Sequence, residues 1–570
     1  MRKIFIAGLL ALTANLNVQA HVWDELAILA RPNADGTFSL EKYSPLQPSI
    51  YTNGVFLDFD NDGNLDLLMM GQGGDWNISG DVKFVLLYRN LGAEEDYRFE
   101  KVTDAGFLQY RDEGYYNPIS TGDYNHDGYT DVVLMSSRDG RKVDLYLNDK
   151  GSGRFIRQEQ TFEAATNGSV MFGDLNNDGY LDIEFSGYSD RTSQALKTYI
   201  NQKNGTFADC TPANLKGAFQ GQSTLADIDG NGTLDIISTG NGDNWVCLAS
   251  TYYNTIDKSG MPTYRYVSEA ESGILGVSRA NPLVADFNAD GRMDMIVNGE
   301  PSNGTGFRNR IYYQNENGKF TMDSSYPIVP VNQDGGINMG DADGDGNMDV
   351  IVGGYVGTYH VTPSAYYSSP LRVYLNKPEK KGLEGNTFPN APTKVNARME
   401  GEELVIEWSD GSDKETDTAA LRYNLFVRNN KTGETYTMIP ADIETGKLKV
   451  GNDLQTSLSS AVKSYRMTVF GEGEYTVGVQ TLDQSYAGSP FKTASLQVTS
   501  SVTQATAGKD FRMVRTPSAI EVKSPTDDKV AVFTTDGRKL ATGNTNEQIL
   551  LPGHGAYIVS VKKHKEKILF

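Results

Sequence analysis

Apolar residues in this chain come as short strings broken by Asp, Asn and Gly, and the strings beside each break are too short to make a helical stripe. VFLDF (Val55 to Phe59), LDLLMM (Leu65 to Met70), VVLM (Val132 to Met135) and VIVGG (Val350 to Gly354) have the length and side-chain mix of strands. The first break, DFDNDGNLD (Asp58 to Asp66), recurs as DYNHDGYTD (Asp123 to Asp131), DLNNDGYLD (Asp174 to Asp182), DIDGNGTLD (Asp227 to Asp235), DFNADGRMD (Asp286 to Asp294) and DADGDGNMD (Asp341 to Asp349). Start-to-start spacings of 65, 51, 53, 59 and 55 residues make this a repeat array in which each acidic nonapeptide joins two strands.

Like charges at such density need a counter-charge. Positions 1, 3 and 5 of each loop offer carboxylate or amide oxygens, position 7 a backbone carbonyl and position 9 a second Asp, while Gly at position 6 allows the turn that lets them converge. The candidate metal ligands are Asp58, Asp60, Asp62, Asn64 and Asp66; Asp123, Asn125, Asp127, Tyr129 and Asp131; Asp174, Asn176, Asp178, Tyr180 and Asp182. The second half of the array adds Asp227, Asp229, Asn231, Thr233 and Asp235; Asp286, Asn288, Asp290, Arg292 and Asp294; Asp341, Asp343, Asp345, Asn347 and Asp349. Oxygen ligands without His or Cys favour Ca²⁺, up to six ions. An EF-hand is excluded, because position 12 of the first loop is Met69 and the flanks are strand-like. His126, at position 4, is expected to point away from the ion.

Two further strands follow each loop. One ends in Asn, as in LLYRN (Leu86 to Asn90), LYLN (Leu145 to Asn148) and IYYQN (Ile311 to Asn315), and one is built on Phe or Tyr, as in RFIRQ (Arg154 to Gln158). The sixth repeat lacks the last strand, for which TFSLEK (Thr37 to Lys42) is the candidate. Four-stranded units closed in this way make a β-propeller, so the chain is expected to be all-β: a six-bladed β-propeller over 21–377, then two β-sandwich domains. A seventh blade built partly from HVWDELAILA (His21 to Ala30) is the alternative count.

Composition narrows the function. A formal charge of -21 leaves no basic surface for nucleic acid or an anionic membrane and makes cations the expected partners. Residues 1–20 read as a signal peptide, with Arg2 and Lys3, an apolar core and a small-residue end at Ala20, so the mature protein is expected to be secreted or at the cell surface. No later apolar run is long enough to span a membrane. Cys210 and Cys247 are the only cysteines; they either pair or serve as small buried hydrophobes.

The tandem D-x-[DN]-x-[DN]-G-x-x-D loops between strands resemble the FG-GAP and VCBS repeats of integrin-type propellers. That resemblance implies fold and Ca²⁺ but no particular ligand, and the Phe-Gly and Gly-Ala-Pro signatures are poorly kept. After a Pro, Gly and Lys-rich linker (378–391), residues 392–500 resemble a fibronectin type III domain, with Trp408 and Tyr423 as the expected core pair and Tyr475 near a corner. Residues 511–570, with DGRKL (Asp536 to Leu540) and LPGHGAYIVSV (Leu551 to Val561), resemble the C-terminal sorting domains of type IX secretion in Bacteroidetes. RTPSAI (Arg515 to Ile520) replaces their usual Pro-Asn-Pro opening, which leaves a plain β-sandwich as the alternative.

No HExxH, GxSxG, Walker or dinucleotide motif occurs, and the five histidines are scattered. The connections on the face away from the loops carry Trp76, Tyr188, Trp245, Arg308, Tyr355 and Tyr359, a set suited to stacking on sugars or anchoring a protein. The expected function is binding of a glycan or an extracellular protein. A polysaccharide lyase or hydrolase on the same propeller and a purely structural surface protein are the competing expectations.

Overall fold

The computed structural model describes residues 23–30, 50–73, 82–302, 308–353, 371–498 and 512–569, except for short stretches at 96–97, 109–117, 137–141, 164, 190, 193, 324, 326–327, 329–335, 379–383, 402, 517–518, 525–527, 535–537, 551–555 and 562–563. The chain is all-β, and its repeats become small antiparallel sheets. Six four-stranded sheets follow one another along the repeat array. Sheet I opens with Ile50–Leu57 and Asp66–Gly73, sheet II with Ile119–Gly122 and Asp131–Ser136, and sheet III with Ala165–Gly173 and Asp182–Ser189. Sheet IV opens with Phe219–Ala226 and Asp235–Asn241, sheet V with Val277–Ala285 and Asp294–Pro301, and sheet VI with Gly336–Gly340 and Asp349–Gly353. In every sheet an acidic loop joins the first strand to the second.

The continuous apolar strings follow from this stacking. Val132 and Leu134 pack toward sheet I with Val55, Leu57 and Leu68, whereas Val133 and Met135 pack toward sheet III with Phe172, Ile183 and Phe185. A strand held between two sheets buries both of its faces, so Asp131–Ser136 is buried throughout and shows no polar alternation. First strands from all six sheets line one small central cavity of about 150 Å³, the arrangement of a propeller.

The closing strand is not the one expected. Sheet VI is completed by Trp23–Ala30, antiparallel to Leu371–Asn376 with Trp23 opposite Asn376 and Ala30 opposite Leu371. TFSLEK lies outside the described residues. WDELAILA supplies the missing edge partner, so the stretch considered for a seventh blade is used in the sixth sheet.

Residues 395–498 form a two-sheet sandwich. Val395–Glu400, Glu403–Trp408 and Ser464–Thr468 face Thr435–Thr437, Arg422–Asn429, Gly473–Leu482 and Lys492–Val498. Trp408 and Tyr423 pack together with ring centres 5.7 Å apart, and the Tyr475 hydroxyl donates to the Gly471 carbonyl at 2.9 Å. The propeller sheets and this sandwich form one compact unit, Met1–Gln497. They share a core in which Ile439, Val450, Leu454 and Tyr486 of the sandwich join residues of sheets IV to VI.

Val498–Phe570 is a separate unit with its own core, Ile520, Val522, Val530, Val532, Ile549, Tyr557, Val559 and Val561, between a three-stranded and a four-stranded sheet. Cys210 and Cys247 are both free thiols. No helix among the described residues is long and apolar enough to cross a membrane.

Candidate metal loops and an aromatic cleft

Each acidic loop is wound by its own carboxylates. The Asp at position 1 accepts the backbone N–H groups of positions 5 and 6 in all six loops, at 2.7 to 3.1 Å. Gly at position 6 is required because φ there is left-handed, +86° at Gly63 and +88° at Gly346. The Asp at position 9 accepts the N–H of position 2 on one oxygen, as in Leu175 to Asp182 at 2.9 Å. On the other it accepts the N–H of the amide residue closing the third strand, as in Asn201 to Asp182 at 2.8 Å.

That closing Asn, visible in the sequence but given no task there, ties neighbouring sheets together. The side chains of Asn148, Asn201, Asn254 and Asn376 donate to the position-2 carbonyls of the preceding loops, Phe59, Tyr124, Leu175 and Phe287, at 2.7 to 2.8 Å. In sheet V the residue is Gln314, reaching Ile228 O at 3.0 Å, and not Asn315, at which the sequence pattern ends. Asn90 instead reaches Leu65 O in its own loop. The signal was the fixed place of the amide at the end of the third strand; its partner lies some 80 residues away in sequence and so was not legible.

Carboxylate oxygens of Asp58, Asp60 and Asp62, of Asp227, Asp229 and Asp235, and of Asp341, Asp343 and Asp349 lie within 4.8 Å of one another. These are the loops with Asp at position 3; Asn125, Asn176 and Asn288 hold that place in the others. Burial, then the charges of Asp60 and Asp62, pushes Asp58 up to about 8, and burial pushes Asp66 up to about 9. Asp174, Asp227, Asp286 and Asp349 are pushed up to about 7, again by burial first. Without a cation these carboxylates cannot all be charged at neutral pH. Side-chain cations already lean on the loops: Lys377 Nζ sits 2.5 Å from both Asp343 and Asp345, Lys203 3.2 Å from Asp178, and Arg89 on Asp60. Position, charge and donor set fit a small cation held by oxygen.

The position-7 N–H groups donate to position 5, as in Asn64 to Asp62 at 2.8 Å, Tyr180 to Asp178 at 3.0 Å and Asn347 to Asp345 at 3.0 Å. Side chains at position 7 reach out of the loop in three cases, Tyr129 to Glu434, Thr233 to Asn254 O and Arg292 to Gln314 O, while Thr233, Arg292 and Asn347 also donate to the position-5 residue of their own loops, Asn231, Asp290 and Asp345. His126 also turns away. Its ring stacks on Tyr180 with centres 3.9 Å apart and places its two nitrogens 2.7 Å from Arg466 O and 3.1 Å from Gly179 O. Two carbonyls would favour the doubly protonated ring, yet burial dominates and lowers its pKa to about 4.

The sandwich covers the loop face. Thr435 N–H donates to Asn61 O, Thr468 N–H to His126 O, Gln484 Nε2 to Asp227 O and Ser485 Oγ to Asp286 O, at 2.8 to 3.3 Å. A Cβ at Gly179 would meet Val462, and Asn386, within the stretch read as a linker, donates to Gly346 O at 2.9 Å. Gly451 and Asp453 reach the central cavity; a Cβ on Gly451 would lie 1.6 Å from Met339 O, so only glycine allows the approach.

On the opposite side, Tyr188 and Trp245 come together around Phe219, at the junction of sheets III and IV. Trp76, Tyr355 and Tyr359 lie outside the described residues, and Arg308 opens the strand Arg308–Gln314. Phe219, buried at the base, was missed because its neighbours belong to two repeats.

The FG-GAP-like repeat model matches residues 58–134, 123–183 and 275–352. The loop at Asp227 lies outside those matches but keeps the same hydrogen bonds. The chain is 26% identical over 278 residues to a T-cell immunomodulatory protein homolog of Plasmodium falciparum, covering 43% of this chain and 36% of that protein. It is 23% identical over 277 residues to the homolog of Plasmodium yoelii yoelii, covering 43% and 37%. The chain thus spans little more than a third of the length of either relative. A fungal alcohol oxidase of the AA5 family, solved with copper, aligns at 13% identity with a TM-score of 0.38, covering 79% of this chain and 98% of that one. What these comparisons establish is that the acidic loops and the sheets around them include FG-GAP-like repeats on an all-β frame.

Proposed function

We propose that the protein is an exported binding module in which the acidic loops hold Ca²⁺ as structural ions and the opposite face receives a glycan, with an extracellular protein as the second class of partner. The observation that carries this reading is the sandwich seated on the loop face, which touches the loops through Asn61, His126, Asp227, Asp286 and Gly346. An ion in such a loop would sit against the buried carboxylates of positions 1 and 9, beside the sandwich contacts, so its task is to balance those charges and pin strands together rather than to coordinate a ligand. Loop oxygens at positions 1, 3, 5 and 9 would hold it, and bound Ca²⁺ would supply the missing positive charge. Residues 1–20 as an export signal and 511–570 as a sorting unit complete the proposal, with the fibronectin type III-like sandwich as a cap.

The test is a glycan array probed with the full secreted chain in calcium, each hit then incubated with the protein and assayed for new reducing or unsaturated ends. Binding without cleavage is expected. New chain ends would replace the binding module with the lyase or hydrolase reading.

A further inference from the structure

The loop face is covered, so the search for a ligand site turns to the far ends of the sheets. There Tyr188, 38% exposed, and Trp245, 66% exposed, each stand nearly perpendicular to the buried ring of Phe219, at centroid separations of 5.8 and 5.1 Å and interplanar angles of 75° and 74°. The three rings border a cleft of about 520 Å³. Cavities of about 300 to 1,000 Å³ are the usual range for small-molecule sites. Tyr188 belongs to sheet III, whereas Phe219 and Trp245 belong to sheet IV, so the cleft exists only because the two sheets pack.

The backbone around it is unusual in a second, independent way. Asn167, Gln220, Asn244 and Trp245 all border the cleft, and all have left-handed φ, at +55°, +47°, +59° and +63°. For a bulky residue such as Trp this conformation is an outlier, and such outliers persist only where the surroundings impose them. At Asn167 and Gln220 the cause is visible. Asn167-Gly168 and Gln220-Gly221 are matching β-bulges in successive first strands, each followed by a glycine whose Cβ would strike the facing carbonyl, Ser186 O at 2.0 Å and Thr239 O at 1.9 Å. Each bulge turns an amide side chain toward the rim. The Gln220 amide is then fixed by Asn241 Nδ2, which donates to Gln220 Oε1 at 3.0 Å.

The chemistry of the lining selects the occupant. Aromatic faces attract the C–H groups of a sugar ring, and carboxamides both donate and accept, matching hydroxyls that do the same. Among the described residues bordering the cleft, the Tyr188 phenol is the one ionisable side chain, so none of them supplies a charge to balance a uronate, a phosphate or an ammonium group. We propose that Tyr188, Phe219 and Trp245, with the amides of Asn167, Gln220 and Asn244, form a subsite for one neutral pyranose unit of an extended glycan. The subsite rests on the binding-module reading and gives it a place and a ligand class.

The test uses the full chain in calcium with neutral cello-, xylo-, manno- and laminari-oligosaccharides and with oligogalacturonate as the charged counterpart, followed by titration calorimetry and tryptophan fluorescence. At least one neutral oligosaccharide should bind, Trp245→Ala and Tyr188→Ala should each weaken it roughly tenfold or more, and Trp245→Phe should recover part of the loss. Because both side chains are exposed, melting temperatures should match the wild type, which separates lost binding from lost folding. Failure of every neutral oligosaccharide to bind, preference for oligogalacturonate, or unchanged affinity in both alanine variants overturns the subsite. Intact binding that ignores both variants removes the subsite and leaves the binding module standing, whereas binding followed by cleavage does the reverse.

Discussion

Asp453 of the sandwich accepts hydrogen bonds from both the backbone N–H and the hydroxyl of Thr121, at 3.1 and 2.7 Å, joining residues 332 positions apart. Its other oxygen accepts from Ser120 Oγ at 2.6 Å. The first strand of sheet II is thereby clasped from inside the central cavity by a residue that itself sits at φ +55°. Hydrogen bonds to charged groups contribute about 1.5 to 3 kcal/mol each, and their losses overlap, so Asp453→Ala should cost about 2 to 4 kcal/mol. Urea unfolding measures this, with limited proteolysis between sandwich and propeller as the second readout; an unchanged midpoint would mean that the clasp contributes nothing.

Calcium should raise the melting temperature and a chelator should lower it, since an ion bound only by the ordered loops stabilises the fold by mass action. Asp58→Ala and Asp349→Ala should each lower the melting temperature in calcium and shrink the difference that the chelator makes. The same difference in wild type and both variants would count against these loops as ion sites.

The inter-sheet amides should be separable from the loops. Asn201→Ala removes the bonds to Tyr124 O and Leu181 O while leaving the backbone N–H on Asp182, and should cost about 1 to 3 kcal/mol. Asn90→Ala, whose side-chain Nδ2 donates to Leu65 O in its own loop, should cost less. Equal losses in thermal unfolding would remove the bridging role.

Asp483, buried under Asn386 and the Ala487 N–H, carries a carboxyl that burial holds well above the usual range. In the unfolded chain it ionises near pH 4, whereas in the fold it keeps its proton to a higher pH, so its contribution is complete at low pH and is lost as pH rises toward the folded value. Wild type should therefore lose stability relative to Asp483→Asn as pH rises above about 4, by up to about 1.4 kcal/mol per pH unit. Paired melting curves across that range check it; a constant gap would show that the carboxyl does not titrate differently in the two states.

Much of the propeller was legible in the sequence because its determinants are local. Asp at positions 1 and 9 and Gly at 6 act within one turn, and a strand buried on both faces writes itself as an unbroken apolar string, as in Asp131–Ser136. The repeat spacing then exposed the strand order inside each sheet. Trp23–Ala30 escaped because pairing with Leu371–Asn376 leaves no mark near either strand beyond edge-compatible residues, and TFSLEK offered the same pattern.

What only the tertiary structure decided are relations between distant surfaces. Nothing in VGNDLQT announces that Gly451 and Asp453 enter the centre of the sheet array, nor does GNGDNW announce that Trp245 meets Tyr188 of the preceding sheet across Phe219. The sequence by itself determined where carboxylates gather, since a turn is closed by residues a few bonds apart. Which face those carboxylates share with the sandwich was decided by packing, because the shape of a surface belongs to all the segments that meet there and to none of them alone.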